Sequence, residues 1–251
     1  MRAVREGYTA EQAASFGAAA AEYERARPEY PAAAVEWIVP PGAEAAVDVG
    51  AGTGKLTRAL AERGLEVTAV EPSAGMRARL EAELPGVRAV AGSGERLPLA
   101  EDSADLLTYA QAWHWVEEAP ALAEAARVLR PGGRLACVWN LRDDRSGWML
   151  ELSTLLERLG SNTAVEDDFF FGAPFGPTER LAVPWSRPID AERLVELVAS
   201  RSYVIVAPEA ERQRLFAAVR DLVATHPDLA GRESFEMPYI TRCFRAELAR
   251  D

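Results

Sequence analysis

Apolar and polar positions along this chain switch repeatedly between a period of two and a period near 3.6, which predicts short strands alternating with amphipathic helices. Val47 and Val49 flank Asp48, and further short apolar runs cover 65–70, 87–91, 105–110 and 134–140. Helical stretches lie between them. One runs over 55–63 and is closed by Gly64. Another follows the capping residue Ser73, and a third spans 117–129, with Leu122, Ala126 and Leu129 on one face and Pro131-Gly132-Gly133 as its stop. Strand and helix alternating five times predict an α/β fold with a parallel, doubly wound sheet and right-handed crossovers.

The pattern continues more loosely toward the C-terminus. Residues 146–160 read as a helix with Trp148, Leu152, Leu155, Leu156 and Leu159 inward, and 162–177 as a loop carrying Phe169, Phe170, Phe171 and Phe175. A sixth strand over 180–185, helices over 190–200 and 208–225, and a seventh strand over 238–246 complete the expectation. Before the first strand, Phe16, Ala20 and Tyr23 are spaced as one helix face, and Pro28 and Pro31 stop that helix with Tyr23 and Arg27 at its end. One domain over 1–251 is expected: an N-terminal lid segment (1–40), a core (41–145), and cap helices, aromatic loop and last two strands (146–251).

The junction at 48–55, Asp-Val-Gly-Ala-Gly-Thr-Gly-Lys, places glycines at every second position between a strand and a helix. Such glycines permit left-handed backbone and remove the Cβ atoms that would keep a ligand from the main chain. A dinucleotide fingerprint counted from Gly50 or Gly52 needs its third glycine at Lys55 or Thr57, and a phosphate-cradling loop needs glycine at Val49 and a hydroxyl residue at Leu56. Neither is present. Glu71 ends the second strand, where doubly wound folds place a ribose-binding acid.

Charge and composition narrow the ligand. The 251 residues carry a formal net charge of -11 and a pI near 4.9, which disfavours a nucleic-acid substrate and leaves a small molecule as the better fit. Cys137 and Cys243 form no metal-ligand spacing with each other or with His114 and His226, so no metal site is expected. The chain shows no signal-like or membrane-spanning apolar run, which predicts a cytoplasmic protein without membrane contact.

The acid two positions before Gly50-x-Gly52-x-Gly54 resembles the first motif of class I S-adenosylmethionine-dependent methyltransferases. Tyr23-x-x-x-Arg27-Pro28-x-Tyr30-Pro31, with Gln111-Ala-Trp-His-Trp115 past the fourth strand, resembles the small-molecule branch that includes trans-aconitate methyltransferase-like enzymes. The resemblance implies a Rossmann-like seven-stranded sheet, five strands parallel and a C-terminal antiparallel pair, with a helical lid and helical insertions between strands 5 and 7. The seventh strand would lie between the fifth and sixth, placing Cys137 and Cys243 on neighbouring strands.

It also implies S-adenosyl-L-methionine as cofactor, S-adenosyl-L-homocysteine as product, and a cofactor site at Asp48, Gly50, Ala51, Gly52, Thr53, Gly54, Glu71, Pro72, Met76, Ser93, Gly94, Glu95 and Gln111, covered by Tyr23 and Arg27. Ser93 stands where relatives often carry Asp. Trp113, His114, Trp115, Phe170 and Phe171 are the expected substrate contacts, and His114 is the candidate general base. The resulting function is in-line methyl transfer to O, N or C of a small molecule. The alternatives are a cofactor-binding protein without transferase activity and a nucleic-acid methyltransferase, the latter opposed by the acidic balance.

Overall fold

The computed structural model describes residues 27–145, 147–159 and 168–249, so Tyr23, the helix expected around Phe16 and Ala20, and part of the aromatic loop lie outside the described residues. Thirteen of the sixteen elements below were expected in type. α1 (Ala32–Ile38) leads into β1 (Ala45–Val49), α2 (Lys55–Ala61), β2 (Glu66–Val70), α3 (Ala74–Glu83), β3 (Arg88–Val90) and β4 (Ala104–Ala110). A single 3-10 turn at Trp113–Trp115 precedes α4 (Glu118–Val128), β5 (Leu129–Arg142) and α5 (Gly147–Glu157). β6 (Glu179–Ile189), α6 (Ala191–Ala199), α7 (Ser202–Ile205), α8 (Glu209–Thr225) and β7 (Phe235–Glu247) follow.

The sheet has seven strands in the order β3-β2-β1-β4-β5-β7-β6. β1 to β5 pair in parallel, and β7 runs antiparallel to both β5 and β6, as expected. Val138 is opposite Cys243, and Cys137 is opposite Phe244. The two free thiols are therefore on neighbouring strands but belong to different cores, Cys137 on the α4 side and Cys243 on the α1 and α2 side. Strand pleating turns them apart.

The last strands are longer than the sequence pattern indicated. β6 runs on through Pro184 and Pro188, which an edge strand tolerates because their missing N–H groups interrupt no second ladder. β7 starts at Phe235 and takes in Pro238, which lies one residue beyond its final pair with β5, Tyr239 to Arg142. The short α7 had no signal in the sequence: four residues are too few for a periodicity. Two cores sandwich the sheet, and a third joins α5, α6, α7 and α8 to the β6–β7 end. No helix among the described residues is long and apolar enough to cross a membrane.

The aromatic residues expected to wall a substrate pocket instead build the α4-side core. Trp113 is 2% exposed and meets Tyr109 edge-on with ring centroids 4.8 Å apart, Phe171 at 5.8 Å and Phe169 at 6.3 Å. Phe169 in turn contacts Trp139 and Phe244. Phe171 is 1% exposed, whereas Phe170, next to it, points outward at 53% exposure. Successive side chains in an extended loop face opposite ways, so one Phe fills the core and its neighbour cannot. Trp113 and Phe171 are thus core residues, and Phe170 is a surface residue. Phe171→Ala should cost about 3–5 kcal/mol in urea unfolding, and Phe170→Ala less than about 0.5 kcal/mol.

Candidate functional site

The turn from β1 into α2 is left-handed at Gly50 (φ 68°), Gly52 (φ 58°) and Gly54 (φ 94°). Each glycine meets a different constraint. A Cβ on Gly50 would lie 2.6 Å from the Ala112 Cβ, and one on Gly54 would press on Leu80 and Leu84 at 3.0 Å. A Cβ on Gly52 would meet nothing within 4 Å. Gly50 and Gly54 are therefore required by the fold, and Gly52 opens the backbone to a cleft.

The loop is held from two sides. Gly50 and Ala51 donate their N–H groups to the Val70 carbonyl at 2.8 and 3.2 Å. Glu71, 7% exposed, accepts from the Gly52 N–H at 2.9 Å through Oε2 and from the Ser73 N–H at 2.8 Å through Oε1. Burial raises its pKa above the ordinary carboxylate value, opposed by these two N–H donors and by Arg77. Ser73 caps α3 by accepting from the Met76 N–H, and Met76 itself is buried, with Pro72 exposed beside it.

Asp48 lies beneath the loop and supports it. It is fully buried, and its two oxygens accept from Thr57 Oγ1 at 2.7 Å and Thr108 Oγ1 at 3.0 Å, which tie β1 to α2 and β4. Burial without a cationic partner pushes its pKa up to about 6. Thr53, 1% exposed, lines the cleft, and its hydroxyl has no hydrogen-bond partner among the described residues. A buried hydroxyl without a partner is costly unless a ligand completes it.

The cleft holds about 540 Å³ of space, part of it open to solvent. Gly50, Ala51, Gly52 and Thr53 form one wall, Ala110 and Gln111 at the end of β4 another, and Arg27, Pro28 and Tyr30 a third. Gln111 adopts a left-handed backbone (φ 55°) and donates through Nε2 to the Asn140 carbonyl at 2.8 Å. Asn140, Lys55, Arg201 and Tyr239 also line the cleft and were not singled out from the sequence. Asn140 at the carboxyl end of β5 was findable by the rule that ligands bind beyond those strand ends. Arg201 and Tyr239 come from distant segments with no local motif.

The remaining expected residues divide. Ser93 exchanges backbone hydrogen bonds with Arg96, Gly94 is wedged against Tyr109 and Val116, and Glu95 Oε1 accepts from the Glu117 N–H at 2.8 Å. The Glu95 carboxylate thus holds the start of α4. His114 and Trp115 sit half-buried with rings 5.2 Å apart, and neither is among the residues lining this cleft. Burial and the nearby Arg27 guanidinium push the His114 pKa down to about 4, which keeps the ring neutral near pH 7 but makes it a weak proton acceptor. No cluster of three or more His, Cys, Asp or Glu able to hold a metal occurs among the described residues.

Comparison with known proteins places these features. A methyltransferase-domain family model matches residues 47–137, from β1 to β5. Proteins called uncharacterized methyltransferases from Mycobacterium tuberculosis and Mycobacterium bovis are 48% identical over 235 residues, 94% of this chain and 96% of theirs. One called methyltransferase-like from Schizosaccharomyces pombe is 33% identical over 93% of this chain and 95% of its own. A solved structure from Anaeromyxobacter dehalogenans shares the fold with a TM-score of 0.65 at 22% identity, covering 90% of this chain and 99% of that one.

The raised Asp48 pKa has a calculable consequence. Between its ordinary value of 3.8 and about 6 the folded protein binds the Asp48 proton and the unfolded chain does not, so this group lowers stability as pH rises through that window. The span corresponds to roughly 3 kcal/mol. Asp48→Asn, which still accepts one threonine hydroxyl, should remove that contribution, and urea unfolding of both proteins from pH 4 to pH 7 measures it. An unchanged pH slope would contradict the assignment.

Proposed function

The chain belongs to the methyltransferase family, and from that premise we propose that it transfers a methyl group from S-adenosylmethionine to a small molecule bound in the cleft. The observation that carries the cofactor assignment is the set at the glycine turn. The Gly52 backbone faces open space, the Thr53 hydroxyl lacks a partner among the described residues, and the Glu71 carboxylate closes the adjoining strand end. Together they offer a flat backbone surface, a hydroxyl and an acidic acceptor for sugar hydroxyls. These groups fit the cofactor. Gly50 to Thr53, Glu71 and Gln111 would hold it, with Met76, Pro72 and the 93–95 segment as the neighbouring edge and Arg27 as part of the cover.

When bound, the cofactor supplies an electrophilic methyl on a sulfonium, and transfer leaves the electron pair of the broken C–S bond on sulfur. This chain's task is to align the acceptor and exclude water, which can contribute on the order of 7–11 kcal/mol. Arg27, Lys55, Arg201 and Tyr239 supply a polar, largely cationic surface for that alignment within an acidic protein. A cleft of this size and a net charge of -11 support a small acceptor over a nucleic acid. The reading also assigns the protein to the cytoplasm, a reducing compartment suited to two buried free thiols.

Titration calorimetry with S-adenosylhomocysteine tests the cofactor assignment. Binding is expected for the wild type, and no heat at millimolar ligand would overturn it. Glu71→Ala and Gly52→Ala should each weaken binding at least tenfold. For Gly52→Ala the cost to folding should be only the roughly 1 kcal/mol of a left-handed alanine, because its Cβ meets no protein atom. Methyl transfer followed from pH 6 to pH 8 should show no titration near 6.5 attributable to His114, since its ring is already neutral there.

A further inference from the structure

Asn140 stands at the centre of a hydrogen-bond chain whose direction can be read without ambiguity. Trp185 Nε1 donates to Thr241 Oγ1 at 2.8 Å. An indole N–H can only donate, so the threonine oxygen accepts there and has its own proton to give. It gives that proton to Asn140 Oδ1 at 2.6 Å. The amide orientation is thereby fixed, and Nδ2 points to the Glu29 carbonyl, to which it donates at 3.0 Å. The chain runs from β6 through β7 and β5 to the segment before α1.

Glu29 is fastened on its other side as well. Its carboxylate accepts from Lys55 Nζ at 2.7 Å, immediately after the glycine turn, with Arg58 at 3.8 Å. The backbone of one residue is thus joined to the end of β5 and its side chain to the start of α2, across the cleft. Its neighbours Arg27, Pro28 and Tyr30 line that cleft. Asn140 also anchors Gln111 through its own carbonyl. One side chain and its backbone therefore position two of the cleft's walls.

We propose that Asn140 is a positioning residue that latches the 27–30 segment across the cleft, with Glu29–Lys55 as the second fastening, and that this latch sets how long the cofactor stays bound. The proposal rests on the cofactor reading above. It assigns a role to the pairing of Asn140 with Thr241 and Trp185, which lie far from the glycine motif in sequence. The Glu29–Lys55 pair is largely exposed at its carboxylate end and contributes little alone, whereas the Asn140 bond is partly buried. Arg27 adds a further bond, donating to the Ser200 carbonyl at 3.0 Å, and a segment fastened at such discrete points can open to admit ligand and close behind it.

Three variants test this. Asn140→Asp replaces the donor facing the Glu29 carbonyl with an acceptor, and Thr241→Val removes the hydroxyl that fixes the amide, with Thr241→Ser as the conservative control. Stopped-flow displacement of S-adenosylhomocysteine should show dissociation at least tenfold faster in Asn140→Asp and severalfold faster in Thr241→Val. Thr241→Ser should match the wild type. Hydrogen exchange of the free proteins should show faster exchange in the peptide containing Glu29 and Tyr30, in the same order.

Wild-type dissociation and exchange in both Asn140→Asp and Thr241→Val would overturn the latch while leaving the cofactor site intact. Absence of S-adenosylhomocysteine binding by the wild type would instead overturn the reading on which it rests. Should Asn140→Asp fold poorly, the Thr241→Val and Thr241→Ser pair decides the question alone. Equal behaviour of that pair, together with wild-type exchange, would refute the relay.

Discussion

Between Val49 and Lys55 the backbone must turn left-handed three times, and the space for that turn is set by side chains from elsewhere in the chain. Ala112 approaches from the loop after β4, Leu80 and Leu84 from α3. No L-residue with a Cβ fits at Gly50, and Ala112 is about as large a neighbour as that glycine tolerates. The first strand, the second helix and the approach of the β4 loop are consequently fixed together. Asp48 completes this junction from below by holding a hydroxyl of α2 and one of β4 with the same carboxylate. Everything that lines the cleft is positioned relative to this joint.

The two faces of the β4–β5 edge are specialised differently. On the α4 side, Tyr109, Trp113, Trp139, Phe171 and Phe244 form a dry aromatic core. At the carboxyl ends of the same strands, Gln111 and Asn140 are polar and hydrogen-bonded to each other. Trp113 is two residues past Gln111, yet it is buried where Gln111 faces the cleft. The left-handed conformation at Gln111 reverses the chain there and sends the following aromatic inward. A rigid apolar core directly behind a polar rim keeps the rim from relaxing, which is what an enzyme that works by alignment requires.

Legibility in the sequence followed the range of the interactions. The parallel strands, the glycine turn and Glu71 are written in local patterns, and so each was readable from a few residues. Composition alone cannot tell which of several adjacent Phe residues in the aromatic loop faces a core: Phe170 and Phe171 are consecutive and have opposite exposures. The environment of His114 was hidden for a related reason. Its ordinary pKa suited a base, and only the folded chain reveals the burial and the Arg27 charge that depress it. Tyr239 and Thr241 reach the cleft and its latch from β7, where pairing with β5 and not any motif decides their position, and Arg201 reaches the cleft from the turn between α6 and α7.

The depressed His114 pKa and the cationic lining bear on what kind of catalysis this cleft can perform. Burial and the Arg27 charge push the His114 pKa down to about 4, and the described residues lining the cleft include no carboxylate. Fixed donors are abundant among them: Gln111, Asn140, Arg27, Lys55 and Arg201. Fixed donors orient and hold a ligand without exchanging protons with it. Their value depends on staying in place, so the polar relay behind Asn140 and the buried Asp48 beneath the glycine turn act on the same quantity from opposite sides. One fixes the segment across the cleft and the other its floor, and displacement of either would degrade alignment before it altered any charge in the site.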